Sequence, residues 1–384
     1  MVCRPSEKKT SRLRGDITMK IGIIDADLIG RSKHRFPNLA CMKLSGHFKR
    51  FGHNVELLTS YDAIEDYDLV YISKVFTETP VPDNITALSW VKFGGTGFYY
   101  DRAEPLPYEI EHGMPDYHLY DEFIDECIRN GAKEKDFTYY RDYSIGFTTR
   151  GCIRGCSFCV NKNYRMCSKH SPVSEFLDPT RKYICLLDDN VLSCKDWKSI
   201  FDELNATGKR FQFKQGMDER LLTDEKCEVL FNSNWIGDYI FAFDNIKDRR
   251  IVERKLQLIR NHTHKIVRFY VFTGYNHNAP GEYNDDFWRQ DIRELFERIT
   301  IRMRYHALPY IMRYADYEKS PYRGIYITAA RWCNQPAYFK KRSFREYCER
   351  CLQFGAKSPM RYLEEFEREN PDIAGEYFDV KWVN

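Results

Sequence analysis

Three cysteines on one short loop, Cys152, Cys156 and Cys159, constrain this chain more than any other feature. They are spaced C-x3-C-x2-C within SIGFTTRGCIRGCSFC, directly after an apolar run that reads as a strand. Gly151 and Gly155 let the backbone take positive φ and wrap tightly round a bound group. The chain has 13 cysteines, an odd number that cannot pair completely within one molecule. Retained thiols of a reducing compartment serve as core residues, metal ligands or nucleophiles, and spacing separates these roles. Three thiolates so close together suit three irons of a 4Fe–4S cluster, leaving the fourth iron open to a further ligand. Arg150 and Arg154 would offset part of the cluster's negative charge. Two other readings stand beside this one. A structural zinc site would draw its fourth ligand from Cys167 or His170, and three unbound core thiols need no metal at all.

The rest of the chain places that loop. Its 384 residues suggest two domains with an appendage. Apolar residues at 43% and aromatics at 15% are ample for packed cores. No run of 18 apolar residues exists and the first 20 residues hold no apolar h-region, so a membrane span and a secretory signal are not expected, and a cytoplasmic location is. The net charge is +3. Residues 1–20 hold six basic and two acidic side chains, leaving the remainder at −1, so a dedicated nucleic-acid binder is not indicated.

Residues 1–18 read as a flexible leader. From 19 to 140 we expect a doubly wound, Rossmann-like α/β domain and its connector. Its strands are expected near 20–25, 55–58, 68–73 and 89–93, with a helix over 38–51 and a Gly-Gly-Thr-Gly turn after the fourth strand. From 141 to 313 the alternation resumes, with strands expected near 144–149, 183–187, 210–214, 239–243, 266–272 and 308–313. Helical periods lie between them at 197–204, 224–231, 248–259 and 286–304. Six strands, each followed by a helix or loop, suit a partial (β/α)6 TIM-like barrel. Residues 314–384 read as a C-terminal helical extension.

The triplet, with Phe158 just before its third cysteine and a strand before its first, resembles the signature of the radical S-adenosylmethionine (radical SAM) enzymes. The stretches PNLACMKLSGHFKRFGHNVELL, DLVYIS, FGGTG and LPYEIEHGMPDY are similar to the cobalamin-binding-type domain that precedes many radical SAM barrels. The resemblance covers about residues 19–310. It implies that the open iron chelates the amino and carboxylate groups of SAM. One electron then cleaves the sulfonium bond to methionine and a 5′-deoxyadenosyl radical, which acts on a substrate. It also implies a reducing partner such as flavodoxin or ferredoxin.

Barrel sites lie at the C-terminal strand ends. Besides Phe158, the residues there are Asp188 and Asp189 after the second strand, Gln215 with Asp218 and Arg220 after the third, and Asp244 and Asn245 after the fourth. Thr273 follows the fifth and Arg313 the sixth. The resemblance implies a Gly-Gly-Glu-like contact to the SAM amino group where this chain has Asp188-Asp189. Asp244 and Asn245 suit the ribose hydroxyls or the methionine carboxylate. A cobalamin lower-ligand motif would read Asp-x-His-x-x-Gly, whereas this chain has Asp25-Ala-Asp27-Leu-Ile-Gly30. A carboxylate is a poor replacement for imidazole, so cobalamin is not the favoured cofactor. A cobalamin-dependent radical methylase and a non-catalytic iron–sulfur or zinc protein remain the alternatives. Cys333, Cys348 and Cys351 are read as core thiols rather than an auxiliary cluster.

Overall fold

The structure is a computed structural model and describes residues 18–162 and 164–382; the expected leader, but for Thr18, lies outside them. The chain divides into two compact units, Met1–Arg141 and Asp142–Asn384. No helix among the described residues is long and apolar enough to cross a membrane.

In the first unit, β1 (Lys20–Asp25), β2 (Asn54–Leu57), β3 (Leu69–Ser73) and β4 (Val91–Gly94) form one parallel sheet in the order β2-β1-β3-β4. Alternation along β1 and β3 divides their side chains between two cores. Ile21, Ile23, Leu69 and Tyr71 pack with Cys41, Met42 and Leu44 of the Leu39–Arg50 helix, whereas Ile24, Val70 and Ile72 pack with Ile85 and Val91. A sheet covered on both faces explains the nearly continuous apolar runs of these strands. Asn38 caps the helix, accepting from the backbone N–H groups of Ala40 and Cys41. The stretch read as a connector contributes Tyr120, Ile124, Phe137 and Tyr140 to the first of these cores.

Two carboxylates lie buried at the end of β1. Asp27 accepts from Val75 N (2.7 Å), Phe76 N (3.4 Å) and Thr79 Oγ1 (2.5 Å), pinning the loop after β3. It stands where the cobalamin motif has its histidine, and here it is a structural acceptor. Asp25 accepts from Tyr120 Oη at 2.9 Å and from Leu28 N at 3.3 Å.

The second unit holds six main strands, all parallel: β5 (Tyr143–Gly146), β8 (Tyr183–Leu186), β9 (Arg210–Phe213), β10 (Tyr239–Ala242), β11 (Val267–Thr273) and β12 (Ala307–Arg313). They form two three-stranded sheets, β5-β8-β9 and β10-β11-β12. Isolated parallel bridges, Phe211 to Trp235 and Met217 to Phe241, join the β9 segment to the β10 segment. Among the described residues β12 does not pair with β5, so the array is open rather than a closed barrel. The free edge of β12 is blunted. Pro309 has no N–H, and the Asn334 amide pairs with both Ile311 N (2.7 Å) and Ile311 O (3.1 Å).

One expected strand is split. The run 144–149 ends as β5 at Gly146, and a two-residue strand, β6 (Thr149–Arg150), pairs antiparallel with β7 (Ser168–Lys169). The cause is Asp188, which takes the N–H groups of Thr148 and Thr149. The C-terminal helices, from Arg323–Cys333 to Pro371–Tyr377, share one core with the Asp285–Arg304 helix and β12. Cys333 and Cys348 are fully buried in that core, as packing residues.

Burial pushes the Asp25 carboxyl up to about 7, with the Asp27 charge adding to the shift. The folded state keeps a proton that the unfolded chain releases near 4. The stability this proton contributes is therefore lost as pH rises from about 4 to 7 and stays level above. Asp25→Asn is expected to remove that slope. Hydrogen exchange of the β1 amides, corrected for intrinsic rates, should show the variant gaining protection relative to wild type across this window.

Candidate functional site

The cysteine loop is a hairpin closed at its base by the β6–β7 ladder, with Thr149 opposite Lys169 and Arg150 opposite Ser168. Its two limbs touch again higher up, where Cys152 N donates to Tyr164 O at 3.2 Å. Gly151 sits between these contacts at φ +98°, and a Cβ there would meet Met166 O at 2.1 Å. Only glycine permits both that backbone and that approach.

Asp188 fixes the base. Its side chain is buried and accepts four hydrogen bonds: Thr148 N (3.0 Å), Thr148 Oγ1 (2.6 Å), Thr149 N (2.6 Å) and Thr149 Oγ1 (2.7 Å). Burial raises its carboxyl to about 6 even against the four donors, which oppose the shift. Three of the four fall on Oδ1 and one on Oδ2, and together they position the cysteine loop. Asp189, half-buried, accepts from Gly151 N at 2.8 Å. Asn190 donates from Nδ2 to Cys152 Sγ at 3.5 Å and accepts on Oδ1 from Asp218 N at 3.3 Å. Three consecutive residues after β8 thus hold three successive points of the loop region.

The three thiols lie within one another's electrostatic reach. Burial raises the Cys156 thiol, and Asp244, Cys159 and Cys152 raise it further. Burial likewise raises Cys159, with Asp189 and Cys152 adding to it against an opposing hydrogen bond from Asn161. The Asp244 and Asp189 charges are thus felt at the second and third cysteines respectively. Backbone N–H groups point at sulfur twice, Arg154 N to Cys152 Sγ and Asn161 N to Cys159 Sγ, both at 3.4 Å. Lys162 Nζ holds the loop from outside, donating to the carbonyls of Cys156 (2.6 Å) and Ser157 (3.0 Å).

This donor set fits an iron–sulfur cluster. Amide groups donating to sulfur are the contacts that tune such clusters, and each cysteine binds its own iron. Among the described residues, no group of three or more His, Cys, Asp or Glu side chains is gathered as a metal site. Of the two candidates for a fourth zinc ligand, Cys167 is buried in the apolar core of the unit with its thiol donating to Asn190 O at 3.5 Å.

The other expected site residues separate into two groups. Phe158 docks the loop on the end of β11, its ring 4.2 Å from Phe272, 5.6 Å from Tyr275 and 5.8 Å from His277. Asp244 accepts from Phe272 N at 3.0 Å, is half-buried, and its charge is felt at Cys156. Asp218 joins the site through Arg154 Nε at 2.5 Å and through Arg220, which also reaches Asp248. Gln215, by contrast, is exposed. Asn245 caps the short turn after it, accepting from Lys247 N at 3.0 Å. Thr273 is buried and donates to Asp291 at 2.8 Å. Arg313 is exposed, lies over the Tyr317 ring and lines a groove with Arg331 and Gln335. Among the described residues, none of these four hydrogen-bonds to Cys152, Cys156 or Cys159.

Two arginines of the Asp285–Arg304 helix were not anticipated. Arg298 donates to the carbonyls of Phe243 (3.2 Å), Asp244 (2.8 Å) and Phe272 (2.8 Å), clamping the ends of β10 and β11. Arg302 lies 4.6 Å over the Phe243 ring. The available signal was a pair of arginines four apart in the apolar stripe of Leu295, Phe296, Ile299 and Met303.

No protein-family model and no curated protein matches this chain. Among solved structures, it is similar to the radical S-adenosylmethionine methyltransferase TsrM from Kitasatospora setae with cobalamin and a 4Fe–4S cluster bound. Identity is 12% and the TM-score 0.49, over 77% of this chain and 75% of that one. A TsrM structure with tryptophan substrate and the SAM analogue aza-SAM gives 13% and 0.47, over 76% and 72%. Likeness of this degree fixes neither reaction nor cofactor.

Removing the Asp188 carboxylate leaves the buried donors of Thr148 and Thr149 without acceptors. Asp188→Ala is expected to lower unfolding free energy by about 3 kcal/mol and to reduce iron uptake on reconstitution. Denaturant titration and iron analysis of the same preparation check both.

Proposed function

We propose that the chain is an enzyme that holds a 4Fe–4S cluster on Cys152, Cys156 and Cys159 and cleaves S-adenosylmethionine reductively at the iron left open, in the manner of the radical SAM enzymes it resembles. The observation that carries this reading is the hairpin itself. It places three thiols at the C-terminal end of parallel strands, with amide donors on two of the sulfurs and the Asp189 and Asp244 charges felt at two of the thiols. When bound, the cluster supplies one electron to the sulfonium carbon–sulfur bond, giving methionine and a 5′-deoxyadenosyl radical.

The chain's own residues do the positioning. Asp188, Asp189 and Asn190 hold the loop, and Arg154 is steered by Asp218. Asp244 and Asp189 are acceptors suited to the SAM amino group or the ribose hydroxyls. Phe158 with Phe272 and Tyr275 forms an apolar wall beside the cysteines that keeps water from the reacting carbon. In this reading the six parallel strands are a partial barrel, the first unit is a doubly wound module, and the protein works among reduced thiols of the cytoplasm.

Cobalamin-dependent methyl transfer is the second reading. The sheet order β2-β1-β3-β4 creates a switch point between β1 and β3, where doubly wound domains bind ligands, and Val75 and Phe76 are exposed just beyond β3. Cobalamin that copurifies with the protein, seen in its visible spectrum, would select this reading.

The test is anaerobic reconstitution followed by dithionite and SAM. Wild type should form 5′-deoxyadenosine, and each Cys→Ser variant of the triplet should not. Asp244→Ala should keep its iron yet bind SAM about tenfold to a hundredfold more weakly. Absence of 5′-deoxyadenosine from fully loaded wild type would leave a non-catalytic cluster protein or, with cobalamin bound, the second reading.

A further inference from the structure

Between Asp142 and Glu175 the chain runs 32 residues without an acidic side chain, in a protein that averages about one in seven. The same run carries Arg150, Arg154, Lys162, Arg165 and Lys169. It is the cysteine hairpin. Three of the five cations serve the hairpin itself: Arg150 lies 3.3 Å over the Phe147 ring, Arg154 is tied to Asp218, and Lys162 binds the carbonyls of Cys156 and Ser157. Arg165 and Lys169 differ. Both are exposed on the return limb, and neither pairs with a carboxylate among the described residues.

Apolar side chains stand exposed among these charges: Met166 at 78%, Ile153 at 48% and Val160 at 39%. The backbone holds them in place. Gly151 brings Met166 O against the cysteine limb, and Cys152 N bonds Tyr164 O. The patch and the cysteines therefore lie on one hairpin. Cations mixed with Met, Ile and Val suit a transient protein interface with an acidic partner, since methionine adapts its shape to what it meets. A nucleic-acid face would instead offer exposed aromatic planes for bases.

We propose that the Arg165, Met166 and Lys169 face of the hairpin, with Ile153 and Val160, is the docking surface for an acidic one-electron carrier protein. The inference rests on the iron–sulfur reading above. One electron leaves the carrier, whose own cofactor is oxidised by one electron, and arrives on the group held by the three cysteines, which is reduced by one. No bond breaks and no proton needs to move in that transfer. Docking beside Cys152 keeps the tunnelling distance short, and salt should weaken it because surface charges are screened.

The test uses full-length protein, a reduced acidic flavodoxin as the probe carrier, and the double variant Arg165→Glu with Lys169→Glu. A second double variant, Arg165→Gln with Lys169→Gln, removes charge without reversing it. Binding to the carrier is measured directly, and SAM cleavage is driven in parallel by the carrier and by dithionite. The expected result is carrier affinity weakened about tenfold to a hundredfold in the reversed variant, an intermediate loss in the neutral one, and dithionite-driven cleavage at the wild-type rate. Unchanged carrier affinity in both variants would overturn the proposal, as would loss of affinity for a single-stranded RNA with carrier binding intact. Wild type that binds no carrier overturns it too. Failure of dithionite-driven cleavage in loaded wild type sinks the functional reading instead, and the binding arm still decides the docking surface.

Discussion

The Asp188 carboxylate, buried under four hydrogen bonds from Thr148 and Thr149, is the interaction on which the rest of the site depends. A buried carboxylate is costly unless its lone pairs are filled. Here two backbone N–H groups and two hydroxyls bond to it, all from Thr148 and Thr149, two of the five residues between the end of β5 and the first cysteine. Those N–H groups are consequently withdrawn from strand pairing, the strand stops at Gly146, and the chain turns out into the hairpin. Without that turn, Cys152 would continue along a strand direction and could not share a loop with Cys156 and Cys159.

The rest of the site is a set of linked constraints leading away from that anchor. Asp189 holds Gly151, Asn190 reaches Cys152, and Asn190 in turn receives Asp218 N. Asp218 ties Arg154 to Arg220, and Arg220 to Asp248 at the start of the next helix. Arg298 closes the far side by clamping the carbonyls at the ends of β10 and β11. Asp218 meets Arg154 and Arg220, and Arg298 meets three carbonyls, the condition under which such groups confer geometry rather than instability. Thr273 and Asn245 spend their polar groups on Asp291 and the Lys247 amide.

Much of this was legible in the sequence. Strand–helix alternation pointed to parallel sheets in both units, and the triplet with its glycines marked the loop. Asp188, Asp189 and Asp244 stand at strand ends as periodicity requires. What periodicity cannot supply is which way a polar residue at a strand end turns. Asp188 and Asp189 are adjacent, yet one is sealed inward and the other borders the site. That difference comes from Thr148 and Thr149, 40 residues earlier in sequence. Arg298 was hidden for the opposite reason. A helix that reads as amphipathic is expected to send its arginines to solvent, and only the bare carbonyls of the neighbouring strand ends make burial favourable. Arg313 closes the edge strand β12, and its side chain lines a groove with residues of the Arg323–Cys333 helix.

The central claim is that this hairpin holds a cluster with one iron open. Electron paramagnetic resonance of the anaerobically reconstituted and reduced protein tests it most directly, alongside iron and sulfide analysis. The account predicts close to four irons and four sulfides per chain and a reduced-cluster signal whose g-values shift when SAM is added. A single zinc per chain with no such signal, or a four-iron cluster whose spectrum ignores SAM at saturating concentration, would contradict it.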